Sequence, residues 1–125
     1  MGRVVSVDND EKWFNRVHAM IPLNVVHEFH MVGPYAASIH QFGRTFDVIA
    51  VDGAERSDCV LHGVDELKDD GVVVFDNSTD SAYQKGYDIL KEKGFKRIDF
   101  HGMAPICHVT SCTSIFYRDN NCLGI

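Results

Sequence analysis

Phe46-Asp47-Val48-Ile49-Ala50-Val51-Asp52-Gly53 is the stretch on which the fold turns. A nearly continuous apolar, β-branched run, cut off by the turn pair Asp-Gly, reads as a buried strand with its carboxyl end at a sharp turn. Working outward, Val72 to Phe75 repeats the pattern after the turn-like Asp69-Asp70-Gly71, and between the two Cys59 to Leu67 carries apolar residues near helical spacing. Upstream, Val4 to Val7 is a short apolar run followed by Asp8-Asn9-Asp10, and Glu11 to Met20 places Trp13, Phe14, Val17 and Met20 on one helical face, with Asp8 and Glu11 as a possible capping arrangement. Pro22 ends that helix, Val25 to Val32 is a further extended run closed by Gly33-Pro34, and Tyr35 to Phe42 is faintly helical before Gly43.

Ser81 to Lys93 reads as an amphipathic helix with Tyr83, Tyr87 and Leu90 inward, stopped by Gly94, and Lys96 to Phe100 as the strand after it. A Gly/Pro loop from Gly102 to Pro105 follows. It leaves no room for a crossover helix, so the last strand, Thr113 to Tyr117, should pair antiparallel. Strands alternating with helices over 125 residues predict one α/β domain, residues 1–125, built on an open, mixed, three-layer sheet. A ligand site in such a sheet lies at the carboxyl ends of its strands.

The composition narrows the function classes. Twelve basic against 18 acidic residues give a net charge of -6, and no Lys/Arg run exists that could follow a phosphate backbone, which argues against nucleic acid. No apolar stretch approaches the roughly 20 residues of a membrane span, and no signal sequence opens the chain, so a cytoplasmic protein without a membrane partner is expected. Cys59, Cys107, Cys112 and Cys122 are expected to be thiols rather than a disulfide framework.

The strand ends present Asp8, Asn9 and Asp10, then Asp52-Gly53 with Arg56 four residues on, then Asp76-Asn77-Ser78. A carboxylate at such a position can accept two hydrogen bonds from a ribose diol. Asp8 suits that role, although Asp8 and Asp10 could equally cap the following helix. Asp-Gly and Asp-Asn-Ser are also ordinary turn chemistry, so Asp52, Gly53, Asp76 and Asn77 are candidates for the cleft rather than assignments. His101, Cys107, His108 and Cys112 cluster without a paired C-x-x-C, and no metal site is expected. His27-Glu28-Phe29-His30 lies on an extended run, where residues three apart face opposite sides, and so cannot act as a helical H-E-x-x-H pair. Asp8-x-Asp10 opens like a calcium loop but lacks the glycine that such a loop needs. His18, His40 and His62 read as half-buried or surface side chains.

Taken in order, these segments resemble bacterial class I S-adenosylmethionine (SAM) dependent methyltransferases over nearly the whole chain. Val4-Val5-Ser6-Val7-Asp8 with Glu11-Lys12-Trp13-Phe14 is similar to that family's second strand and following helix. Phe46 to Gly53 with Arg56 and Cys59 resembles the fourth-strand motif at the floor of the pocket, Gly71 to Ser78 the fifth strand, and Gly94 onward the closing hairpin. The resemblance implies a Rossmann-like fold, a SAM cofactor contacted by Asp8, Asn9, Asp52 and Gly53, and a substrate pocket near Arg56, Asp76 and Asn77. It also implies that the family's first strand and glycine-rich loop lie ahead of residue 1, leaving a gap in the sheet. Either Val4–Val7 then pairs directly with Phe46–Val51, or two chains associate to cover the surface left bare. The expected function is a methyltransferase-like domain, inactive or weakly cofactor-binding on its own. A non-enzymatic module, homo-oligomeric (a dimer foremost) or binding another partner, fits the same surface. A phosphoacceptor receiver domain would use Asp8, Asp10 and Asp52, but it needs a lysine where Phe100 and His101 stand.

Overall fold

The structure, a computed structural model, describes residues 2–31, 33–43, 45–104 and 108–125. Among the described residues, six strands and four helices alternate as expected: β1 (Val4–Asp8), α1 (Glu11–His18), β2 (Val25–Phe29), α2 (Pro34–Ala37), β3 (Phe46–Val51), α3 (Arg56–Glu66), β4 (Leu67–Phe75), α4 (Gln84–Glu92), β5 (Lys96–Met103) and β6 (Thr110–Tyr117). Single turns of 3-10 helix over Ser38–Phe42 and Ser81–Tyr83 extend α2 and lead into α4.

The strands form an open α/β arrangement with a mixed sheet. β3 and β4 run parallel, β4 and β6 antiparallel, and β6 and β5 antiparallel, giving the order β3-β4-β6-β5. The short link before β6 enforces that last reversal, as the loop length predicts. β1 and β2 form a separate parallel pair in which Ser6 lies opposite His27 and Asp8 opposite Phe29.

The core lies where α3 and α4 meet the four-stranded sheet. Val51, Val60, Val64, Leu67, Val73, Phe75, Leu90 and Phe116 are almost fully buried there. Phe75 packs its ring edge-on against Tyr87, and Tyr87 stacks on Phe116. Removing these side chains from water is the main stabilising term, at roughly 25 cal/mol per Å² of apolar surface. On the other face of the sheet Val48 and Phe100 remain 45% and 54% exposed.

Three local expectations are corrected. Asp69-Asp70-Gly71 does not form a turn ahead of the strand; β4 already begins at Leu67, and its register against β3 jumps between Phe46↔Leu67 and Val48↔Val72. Gly71 permits this, because a Cβ there would lie 2.6 Å from the Leu67 side chain. The helix after β1 is capped by Asp10, whose Oδ1 accepts from the Trp13 N–H at 2.8 Å, and not by Asp8. β5 runs on through Gly102 to Met103, so Gly102 does not begin a loop; Pro105 and Cys107 lie outside the described residues.

The fourth correction concerns the gap. β1 and β3 do not pair with one another. A cleft of about 830 Å³ runs between their facing edges, lined by every residue from Arg3 to Asp8 and by Thr45 to Val48. At one end Arg3 lies 5.8 Å from the Phe42 ring, and at the other Asp8 and Asp52 both act on Tyr35, so the two strands run in the same direction. Tyr35, Ile39 and Phe42 line the adjoining space together with Val5, Val7, Phe46 and Ile49.

Candidate functional site

The carboxyl ends of β1 and β3 face each other across this cleft, and they deliver Asp8, Asp52 and Gly53 to its lining. β1 puts Asp8 at the lip because it is the last residue of the strand, with Asp10 left to serve the helix. His27, on the adjacent β2, shares a hydrogen bond with Asp8 Oδ2 at 2.7 Å. Its side chain is 0% exposed, against 23% for Asp8. The imidazole packs against both the Phe14 and His18 rings, 4.4 and 5.5 Å away, and its Nδ1 has no partner among the described residues. Asp8 is thus gripped from behind through one oxygen, while Oδ1 has no partner among the described residues.

Tyr35 closes the inner end. Its hydroxyl stands over Gly53, so that a Cβ on Gly53 would lie 2.2 Å from Oη. Glycine is needed here by close approach rather than by turn conformation alone. Burial, and after it the charges of Cys59 and Asp8, pushes the Tyr35 hydroxyl up to about 12. Burial also raises the Cys59 thiol, with help from Glu55 and Asp58, to about 11. Neither group is a nucleophile or base at neutral pH.

Asp52 and Asp76 end the adjacent strands β3 and β4 and interact directly. Partial loss of hydration and then the neighbouring Asp76 raise the Asp52 carboxyl. Asp76 is lowered, first by the hydroxyl of Thr113 that donates to it, then by the Asn77 N–H. Acid therefore protonates Asp52 first, and Asp76 holds its charge.

Arg56 is buried, and each of its three side-chain nitrogens donates a hydrogen bond. Its Nε donates to Gly53 O at 3.0 Å, its Nη2 to Asp52 O at 3.0 Å and Asp52 Oδ1 at 3.2 Å, and its Nη1 to Asp76 O. The expected pairing with Asp52 is present, and the guanidinium is also a clamp that ties the ends of β3 and β4. Asn77 donates from Nδ2 to Ser111 Oγ at 3.0 Å, toward the hairpin, and Asn9 is not among the cleft-lining residues. The sequence thus identified Asp8, Asp52 and Gly53 as cleft residues, with Asp76 joined through Asp52. It missed Tyr35, Trp13 as a wall of the cleft, and His27. The parallel pairing of β1 with β2 is the signal that would have placed His27 beside Asp8.

A second cluster lies away from the cleft. Asp99, His101 and Cys112 bring a carboxylate oxygen, a ring nitrogen and a sulfur within 4.8 Å of one another on the β5–β6 ladder. The sequence grouped His101 with Cys112 but omitted Asp99. Cys59, Cys112 and Cys122 are free thiols.

No protein-family model matches the chain, and no curated protein matches its sequence. Solved structures do match its fold. The precorrin-6y C5,15-methyltransferase of Geobacter metallireducens superposes over 94% of this chain with a TM-score of 0.68 and 12% identity. The O-methyltransferase TomG of Streptomyces achromogenes, which acts in tomaymycin synthesis and was solved with SAM, gives 0.66 over 94% at 16% identity. The precorrin 8w decarboxylase of Methanobacterium thermoautotrophicum gives 0.59 over 92% at 16% identity. The chain spans 69%, 62% and 69% of their respective lengths. Its fold is thus the Rossmann-like one found in class I SAM-dependent methyltransferases. No helix is long and apolar enough to cross a membrane among the described residues.

Proposed function

We propose that this is a methyltransferase-like domain whose cleft between β1 and β3 takes SAM, weakly as the chain stands. The observation that carries the reading is Asp8, at the carboxyl end of β1, oriented by His27 with its other oxygen unpartnered at the cleft among the described residues. A carboxylate fixed in this way is suited to accept both hydroxyls of a ribose. Trp13, 54% exposed on the same cleft, offers an aromatic face. Bound SAM would supply an activated methyl group; this chain's residues would hold and orient it.

Weak binding follows from the cleft's geometry. The facing edges of β1 and β3 carry backbone groups that pair with no strand among the described residues, and the cleft between them is wide, about 830 Å³. Affinity for a cofactor rests on many contacts made together, and a partial set loses most of it.

Titration calorimetry with SAM and with its demethylated product tests this reading. The expected dissociation constant is no tighter than about 10 μM, near 7 kcal/mol, weakened at least tenfold in Asp8→Ala. Binding that is unchanged in Asp8→Ala, or no heat at millimolar SAM, sinks it.

The exposed Val48 and Phe100 and the open strand edges favour a second reading for the surface, a homodimer in a cytoplasmic protein. Sedimentation should show a concentration-dependent dimer that Val48→Lys weakens. A monomer across a hundredfold range of concentration rejects it.

A further inference from the structure

We propose that Asp99, His101 and Cys112 form a three-ligand site for a divalent transition metal of the zinc class, on the outer hairpin and separate from the cleft. His101 and Cys112 are direct cross-strand partners, and Asp99 lies two residues from His101, opposite Ser114. The alternation of strand side chains therefore puts all three on one face, the same face that carries Phe116 into the core. Cys112 Sγ lies 3.9 Å from His101 Nε2, and all three ligand atoms fall within 4.8 Å of one another. Zinc bonds of ordinary length at tetrahedral angles separate ligand atoms by about 3.3–3.6 Å. Small side-chain rotations close that difference.

The surroundings support the ligands as a metal site's second layer does. Ser114 Oγ and Arg97 Nε both donate to Asp99 Oδ1, leaving Oδ2 without a partner among the described residues. Ser114 Oγ also lies 2.6 Å from Ser78 Oγ, so the hydroxyl that braces the carboxylate is itself held in the interior. Arg97 is itself fixed by Ser78 O at 2.8 Å and by the Tyr87 and Phe116 rings, 5.1 and 5.4 Å from its guanidinium carbon.

The donor set selects the ion. A thiolate with an imidazole and one carboxylate suits zinc, cobalt or a related ion, whereas calcium and magnesium take oxygen ligands. Cys112 is 1% exposed and forms the floor, while Asp99 and His101 are exposed at the mouth. An ion can enter from solvent, and a fourth position stays open to water, the arrangement of exchangeable rather than closed zinc sites. Binding would displace the thiol proton to solvent as the Cys112 sulfur coordinates the ion.

The test is cobalt(II) titration of the reduced full chain, followed by zinc. One equivalent should bind, with a thiolate-to-cobalt charge-transfer absorption in the near ultraviolet that zinc abolishes. Cys112→Ser should remove that absorption, Asp99→Asn and His101→Gln should weaken binding at least tenfold, and Cys59→Ser and Cys122→Ser should leave it intact. No charge-transfer absorption in the parent chain overturns the proposal, as does one that survives Cys112→Ser. If Cys112→Ser loses its native circular dichroism, exposed His101 carries the test, and unchanged affinity in His101→Gln overturns it.

Discussion

His27 Nε2 lies 2.7 Å from Asp8 Oδ2, joining a fully buried ring on β2 to the carboxylate that ends β1. An ionised carboxylate can only accept, so Nε2 is the donor in this contact, while Nδ1 has no partner among the described residues. His27→Leu keeps the volume but removes the donor, releasing Asp8 and the contact between β1 and β2. Urea unfolding should show a loss on the order of 1–3 kcal/mol. SAM binding should weaken as in Asp8→Ala. A variant as stable as the parent would show that the contact contributes nothing to the pair of strands.

Arg56 holds three backbone carbonyls at the ends of β3 and β4, and its guanidinium lies 5.2 Å from the Tyr83 ring. Arg56→Ala leaves those carbonyls partly buried without donors, and the expected cost is about 3 kcal/mol in chemical denaturation. Arg56→Lys should recover less than half of it, since an ammonium cannot span the forked arrangement. Full recovery by lysine would mean that charge alone matters at this position.

The parts of the fold legible in the sequence are those set by local pattern. Phe46–Val51 and the alternating burial of Thr110–Tyr117 follow from apolar period, and the reversal of β6 follows from loop length. The register jump at Gly71 and the separation of β1 from β3 depend on which side chains meet across long stretches of chain, and no local pattern carries that. The candidate site divides in the same way. Asp8 and Asp52 are visible because strand ends can be read, whereas the His27 contact needs the β1–β2 pairing, and Arg56 became a structural clamp only when the carbonyls of Gly53, Asp52 and Asp76 converged on it.

Gly53 and Tyr35 form a testable pair. A Cβ on Gly53 would stand 2.2 Å from Tyr35 Oη, so Gly53→Ala must push the ring aside. The expected cost is roughly 1–3 kcal/mol, as for overpacking elsewhere. Tyr35→Leu should remove most of the penalty, so a double-mutant cycle should show coupling on the order of 1 kcal/mol or more. Additive effects would mean that the alanine is resisted by the backbone alone.

Alkaline stability follows from two groups that are kept neutral by the fold. Cys59 is raised from 9.0 to about 11 and Tyr35 from 10.0 to about 12, in both cases chiefly by burial. The unfolded chain then loses these protons at lower pH than the folded one. Stability from this source is therefore complete below about pH 9 and is lost as the pH rises through 11 to 12. Lysine side chains in general also lose protons near that range, so the comparison is with Cys59→Val, which removes one titrating group. The fall in stability between pH 8.5 and pH 10.5, read from urea unfolding, should be shallower in the variant by on the order of 1–2 kcal/mol. Parallel curves for the two proteins would show that the thiol is as easily ionised in the fold as in the open chain. Alkylation provides an independent reading of the same thiol: at pH 8 Cys59 should react far more slowly than the exposed Cys122, because only the thiolate attacks.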